Sequence, residues 1–207
     1  PWFEVEVLEL GSSEVFSRFE IEANSNTATA DILSTSIRPS WGRVSEAGLI
    51  APTKIDLVDG YPEWASEFPG AYAFTINPHL LAYNKLLIDE ADWPSSIADV
   101  AALVENDPGT YNKAITAYTP DRAYGRQVIY AWQRDYGEEA WNLLETIVPA
   151  MVEEASGGTM LSKLTAGEYR IAFFQSGNAV KRSSNDSFDR VVGWTIPTDG
   201  VVVNPTS

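Results

Sequence analysis

Lys113-Ala114-Ile115-Thr116-Ala117-Tyr118, then Thr119-Pro120-Asp121, then the helical pattern that runs from Arg122 to Tyr136, is the stretch whose reading decides the fold. A short strand passes through a polar turn into a long helix. The same alternation recurs along the chain. Phe3 to Leu10 sets apolar residues against Glu4, Glu6 and Glu9, the period-two pattern of a strand with one polar face. Ser13 to Ala23 spaces Val15, Phe16, Phe19 and Ala23 as a helix, with Ser12 or Ser13 as its N-cap. Ala30-Asp31-Ile32-Leu33 reads as a short buried strand running into Ser34-Thr35-Ser36. Prolines at 39, 52, 62, 69 and 78 predict irregular segments with short helices between Arg38 and Pro78. Leu80 to Asn84 resumes a strand, and Trp93 to Asp99 reads as a loop capping a helix that continues through Val104. Helical patterns cover Glu138 to Glu154 and Met160 to Ala166, broken by Gly157-Gly158, and Tyr169 to Phe174 is a strand. Strands alternating with helices favour an α/β architecture.

Composition narrows the partners. With 44% hydrophobic residues, 207 residues bury a substantial core as one large domain or two modest lobes. Fourteen Lys and Arg against 29 Asp and Glu give a net charge of −15, spread along the chain, which repels nucleic acid and anionic membrane surfaces and otherwise reads as a solvated face. The absence of cysteine excludes disulfides, thiolate metal sites and a cysteine nucleophile. No run approaches the roughly 20 apolar residues of a membrane span, and Pro1-Trp2-Phe3-Glu4 does not open a signal peptide, which has been removed or was never included.

Four segments in colinear order resemble a known family: Ala30-Asp31-Ile32-Leu33-Ser34-Thr35-Ser36; Leu81-Ala82-Tyr83-Asn84 with Trp93-Pro94-Ser95-Ser96-Ile97-Ala98-Asp99; Ala166-Gly167-Glu168-Tyr169-Arg170-Ile171-Ala172; and Trp194-Thr195-Ile196-Pro197-Thr198-Asp199-Gly200. The chain is similar to the type 2 periplasmic solute-binding proteins of ABC transporters, in particular the ferric-ion-binding group. The resemblance implies a two-lobed α/β fold truncated at both ends. Residues 1–83 plus 192–207 would form one incomplete lobe and residues 84–191 the other. It further implies a monomeric, extracytoplasmic protein that binds a small-molecule solute, closes about a hinge, delivers to a membrane permease, carries no cofactor and catalyses nothing.

In open α/β sheets, ligands bind beyond the carboxyl ends of the strands, where helix N-termini present free N–H groups. The candidate ligand residues are Ser13, Thr35 and Ser36, then Arg122, Ala123 and Tyr124, with Gly158, Thr159, Gln175, Gly177 and Asn178. Hydroxyls and amides donate hydrogen bonds without adding charge, which suits an anion or a polyol; Arg122 adds a charge-assisted bond, so an oxyanion such as a phosphate, phosphonate or carboxylate is expected, with a neutral or cationic solute as the alternative. Ordinary capping and turn formation are the plain alternatives for the serines and for 175–178. Asp121 argues the other way, because a carboxylate there caps the helix itself and repels an anion.

The ferric group holds its metal mainly with an adjacent tyrosine pair. Counted from Gly167-Glu168, that pair falls near Gly177-Asn178, neither of them tyrosine, and the expected acidic ligand falls near Ser36. A hard cation has lost its anionic oxygens, so no metal is expected. His79, the only histidine, reads as structural or exposed; no Gly-x-Ser-x-Gly elbow accompanies it. Glu138-Glu139 and Glu153-Glu154 read as solvated helix faces. The competing readings are a ferric receptor with non-standard ligands, a hydrolase using Asp31, Asp121 or Asp199, and a sensor on the same fold.

Overall fold

The structure, a computed structural model, describes residues 2, 4–27, 30–55 and 60–207. The chain divides into two compact units, residues 1–76 with 205–207 and residues 77–204. The architecture is α/β.

In the first unit, α1 (Ser12–Asn24) and α2 (Arg38–Glu46) carry the core. Phe16 meets Trp41 edge to face at 5.1 Å, and both rings are buried with Phe19, Ile37 and Val44. Gly11, not Ser12 or Ser13, occupies the cap position of α1, and its N–H donates to Glu14 Oε2 at 3.0 Å. Two expected strands are not formed. Residues 4–10 have no strand pairing and Val5, Val7 and Leu8 are exposed; Phe3 lies outside the described residues. An alternating pattern specifies a strand only when a neighbour supplies the ladder. Residues 30–33 are also unpaired, with Ile32 exposed. The ladder starts two residues later, where Thr35 exchanges both backbone hydrogen bonds with Ser207.

The second unit is built on a mixed sheet. Its strands are β1 (Thr75–Asn84), which enters from the first unit, β2 (Ile115–Tyr118), β3 (Met151–Glu154), β4 (Ile171–Ser176) and β5 (Val192–Thr195), in the order β3-β2-β4-β1-β5, with β6 (Val203–Thr206) pairing β1. β2 runs parallel to β3 and β4, while β1 is antiparallel to β4 and β5. The helices are α3 (Ile97–Asn106), α4 (Pro108–Tyr111), α5 (Ala123–Tyr136), α6 (Glu139–Ile147), α7 (Gly157–Ala166), α8 (Gly177–Ser183) and α9 (Asp186–Val191). The Glu138–Glu154 helix expected from the sequence stops at Ile147. Pro149 lies in a 3-10 turn there, and with no N–H to give it cannot continue the helix, so Met151–Glu154 becomes β3. Gly157 and Gly158 begin α7 instead of breaking a run, because Ser156 caps it by accepting from Thr159 N at 3.2 Å.

Apolar residues cover both faces of the sheet. One face carries Leu81, Ile115, Ile171 and Phe173 against α3, α5 and α6; the other carries Leu80, Ala82 and Ala172 against α7, α8 and α9. A bulge interrupts the alternation in β4. Leu80 pairs Gln175 and Ala82 pairs Ala172, so three steps of β4 face two of β1. Phe174 takes up the extra residue with φ +55 and joins Phe173 in the same core cluster. A left-handed backbone at a non-glycine residue is strained, and here it re-aims the two residues that follow it.

Asp199 ties the returning chain to α3. Its carboxylate accepts from Ile97 N and Ala98 N, each at 2.9 Å, and so satisfies two amides at that helix start.

Candidate functional site

The three parallel strands β3, β2 and β4 end on the same side of the sheet, and each leads into a helix: β3 into α7, β2 into α5, β4 into α8. Thr119 N donates to Glu154 O at 3.1 Å, the last rung between β2 and β3, and Pro120 turns the chain away. Arg122 stands at the cap of α5 in extended conformation, and its side chain makes no cap hydrogen bond. Arg122 N reaches Thr119 O and Arg126 N reaches Arg122 O. Among the described residues the amides of Ala123, Tyr124 and Gly125, and those of Gly157 and Gly158 at the start of α7, make no hydrogen bond. These unpaired donors lie at the ends of adjacent parallel strands, with the helix dipoles behind them.

Two glycines make this close packing possible. A Cβ on Gly125 would lie 2.3 Å from Thr119 O, and one on Gly157 would lie 2.4 Å from the Tyr118 hydroxyl and 3.1 Å from Gln175 Nε2. Both helices therefore sit closer to the strand ends than any side-chain-bearing residue allows.

A buried polar layer lies beneath. Tyr124 Oη is 3.0 Å from His79 Nε2 and 3.3 Å from Asn77 Nδ2; Asn77 Oδ1 accepts from Ser176 Oγ and Asn178 N, both at 3.1 Å. Gln175 Nε2 donates to Gly157 O at 3.2 Å, and its Oε1 is buried without a partner. Burial holds the imidazole of His79 neutral, its pKa lowered to about 4, with the Val202 carbonyl opposing the shift. Burial likewise pushes the Tyr118 and Tyr124 phenols up, so neither is a ready phenolate.

The surface charge is mixed. Arg122 is exposed, and Arg126 Nη1 donates to the carbonyls of Pro120 and Asp121 at 3.3 Å. Against these cations stand the exposed Asp121 and Glu153, the latter accepting from Thr119 Oγ1 at 2.9 Å.

The structure brings Arg122, Ala123, Tyr124, Gly158, Thr159, Gln175, Gly177 and Asn178 to the same end of one sheet. The Tyr124 hydroxyl is turned inward, which leaves its backbone N–H as the group on offer. Asn178 N is occupied by Asn77, and Thr159 Oγ1 lies 3.0 Å from Ser156 Oγ. Ser13, Thr35 and Ser36 belong to the first unit. There Ser13 is exposed, Thr35 is buried with an unpartnered Oγ1, and Ser36 Oγ lies 2.9 Å from Thr206 Oγ1. Sequence reasoning missed Asn77 and read His79 as structural or exposed, where it is buried beneath the site; it also missed Tyr118, Gly125, Gly157 and Arg126. The signal for the first two was polarity inside a strand, Asn77-Pro78-His79 ahead of Leu80-Leu81.

Gly177 and Asn178 occupy the first turn of α8, and among the described residues no three of His, Asp and Glu come together as metal ligands. Among the described residues, no helix is long and apolar enough to cross a membrane.

No protein-family model and no curated protein matches the sequence. Solved structures do match. The substrate-binding protein of an ABC transporter from Agrobacterium tumefaciens superposes with a TM-score of 0.84 at 19% identity, over 94% of this chain and 58% of its own. The ferric binding protein from Campylobacter jejuni gives 0.74 at 16% identity, over 99% and 66%. The periplasmic binding protein AfuA from Actinobacillus pleuropneumoniae, solved with fructose-6-phosphate, gives 0.72 at 16% identity, over 95% and 61%. The chain thus spans about three-fifths of the length of the binding proteins it matches. Over that span, it has the fold of the periplasmic substrate-binding proteins of ABC transporters.

Proposed function

We propose that this chain is the solute-binding component of an ABC importer, that it captures a small solute bearing a phosphate, carboxylate or similar oxyanion, and that it makes and breaks no bond. The observation that carries this reading is the set of unpaired amides at the starts of α5 and α7, at the ends of adjacent parallel strands. An oxyanion supplies the acceptors those donors lack, and the helix dipoles favour its charge. Each helix terminus contributes only about 0.3–1 kcal/mol when exposed and up to about 2 when partly buried, so two of them do not make a tight site alone. Arg122 and Thr159 add the remaining donors, which must outweigh Asp121 and Glu153.

In this reading residues 84–191 form one lobe of the capture device and residues 1–83 with 192–207 the other, contributing Ser13, Thr35 and Ser36. The protein works outside the cytoplasm as a monomer, with a membrane permease as its partner. A ferric-ion role is disfavoured by Gly177 and Asn178 standing where the tyrosine pair is expected and by the lack of a clustered carboxylate set among the described residues.

Because one structural neighbour was solved with a sugar phosphate, fructose-6-phosphate is the first probe, with fructose as its uncharged analogue. Calorimetry on the full-length protein should find the phosphorylated sugar bound at least about tenfold more tightly, and Arg122→Ala should erase much of that difference, as expected for a lost charge-assisted bond. Equal affinities, unchanged by the substitution, would sink the proposal.

A further inference from the structure

The direction of each hydrogen bond beneath the site is fixed by chemistry. His79 Nδ1 lies 3.2 Å from the Val202 carbonyl oxygen, which can only accept, so the ring proton is on Nδ1 and Nε2 of the neutral ring is an acceptor. The Tyr124 hydroxyl, 3.0 Å away, therefore donates to Nε2 and is left to accept from Asn77 Nδ2. That orientation makes Asn77 Oδ1 the acceptor for Ser176 Oγ and Asn178 N. The far end gives the same answer independently. An amide N–H such as that of Asn178 can only donate, so it too requires the oxygen of Asn77 on its side. Asn77 is buried and His79 fully so, which leaves no water to substitute for a partner at the ring. The titratable group facing the imidazole is Tyr124, with the ring of Tyr118 beyond it at 5.0 Å from that of Tyr124.

We propose that Asn77 and His79 are positioning residues. Through this one-directional chain they hold the Tyr124 hydroxyl inward and occupy the Asn178 amide, so that the donors left for a solute are those of α5 and α7. The name of the site rests on the oxyanion reading above, but the chain of hydrogen bonds does not, and its test contains no solute.

His79 is the only histidine, so one pair of ring-nitrogen signals reports it. Nitrogen-15 NMR of the full-length protein at pH 7 should show Nδ1 protonated and Nε2 bare. Asn77→Asp keeps an acceptor for Ser176 and Asn178 but replaces the donor to Tyr124 with a second acceptor. One hydroxyl proton then faces two acceptors, and the ring gains a proton to resolve it. The His79 titration should move up by about one pH unit or more, while the Asn178 amide stays protected from exchange. Asn77→Ala should instead speed Asn178 amide exchange about fivefold or more and leave the ring tautomer unchanged. A residue that merely fills space predicts neither the titration shift nor this split between variants. The proposal is overturned by a ring protonated on Nε2, by a cationic ring at pH 7, or by Asn178 exchange unaltered in Asn77→Ala. The first two readouts use the wild-type chain and stand even if a variant does not fold.

Discussion

Gly125→Ala is expected to destabilise the protein, against the ordinary preference of helices. Residue 125 is the third of α5, and alanine there is the better helix former by up to about 1 kcal/mol. The surroundings reverse the sign. A Cβ would lie 2.3 Å from Thr119 O, 2.9 Å from Thr119 C and 3.1 Å from Tyr118 Cβ. Two of these atoms are backbone at the end of β2, so relief requires lifting the first turn of α5 away from the strand. Overpacking of this kind costs about 1–3 kcal/mol, and a 2.3 Å contact with backbone belongs at the upper end, so subtracting a propensity gain of up to about 1 leaves a net loss of about 2 kcal/mol. Gly158→Ala provides the contrast. It occupies the second residue of α7, and its Cβ would meet only Ser156 Oγ at 3.8 Å, so the substitution should stabilise by up to about 1 kcal/mol. Urea unfolding of both variants, followed by tryptophan fluorescence, reads the difference as midpoints moving in opposite directions. A Gly125→Ala midpoint at or above that of the wild type would refute the claim that close approach of α5 to the strand end requires glycine.

Asp199→Ala should cost about 1–2 kcal/mol, because two α3 amides lose their only acceptor, and it should speed exchange at Ile97 and Ala98; wild-type exchange there would show that the carboxylate is not the cap. Stability should fall as the pH is lowered from about 6.5 to about 4. The unfolded chain takes up a proton on His79 below its ordinary pKa of 6.5, while the folded ring does so only near 4, so stability is present above that window and is lost across it, by about 3 kcal/mol. His79→Gln should flatten the slope there; an unchanged slope in denaturation curves taken at successive pH values would assign the loss to other groups. Glu154, held below its ordinary pKa of 4.5 by hydrogen bonds from Lys163 and Tyr169, contributes stability that is present above that value and is lost as pH falls below it.

The elements legible in the sequence were those whose local pattern and tertiary role agree. α5 and α3 show helical spacing and a buried face, and the capping Ser96-x-x-Asp99 of α3 is readable directly. β1, β2 and β4 carry continuous apolar runs because both faces are covered. Residues 4–10 misled because alternation says nothing about whether a partner strand exists. β3 was hidden because its four residues follow α6 without a polar break, and Pro149 was the available sign of the change. The bulge at Phe174 has no sequence signal, since it is imposed by packing against β1.

The candidate site was legible in part through one rule, that helix starts beyond strand ends carry free amides, and this pointed to Ala123 and Tyr124; with β3 hidden, the same rule did not reach the start of α7. The layer beneath was not. Asn77 and His79 lie about 45 residues from Tyr124 and 100 from Ser176 and Asn178, so only the folded sheet joins them. Gly157 looked like a helix breaker because the Tyr118 hydroxyl that requires its small size is equally remote.

Titrating the nitrogen-15-labelled full-length protein with fructose-6-phosphate and following every backbone amide tests the oxyanion reading most directly. Saturable shifts are expected at Ala123, Tyr124, Gly125, Gly157 and Gly158, and none of comparable size with fructose. Shifts confined to other residues, or identical responses to the charged and uncharged sugars, would contradict it.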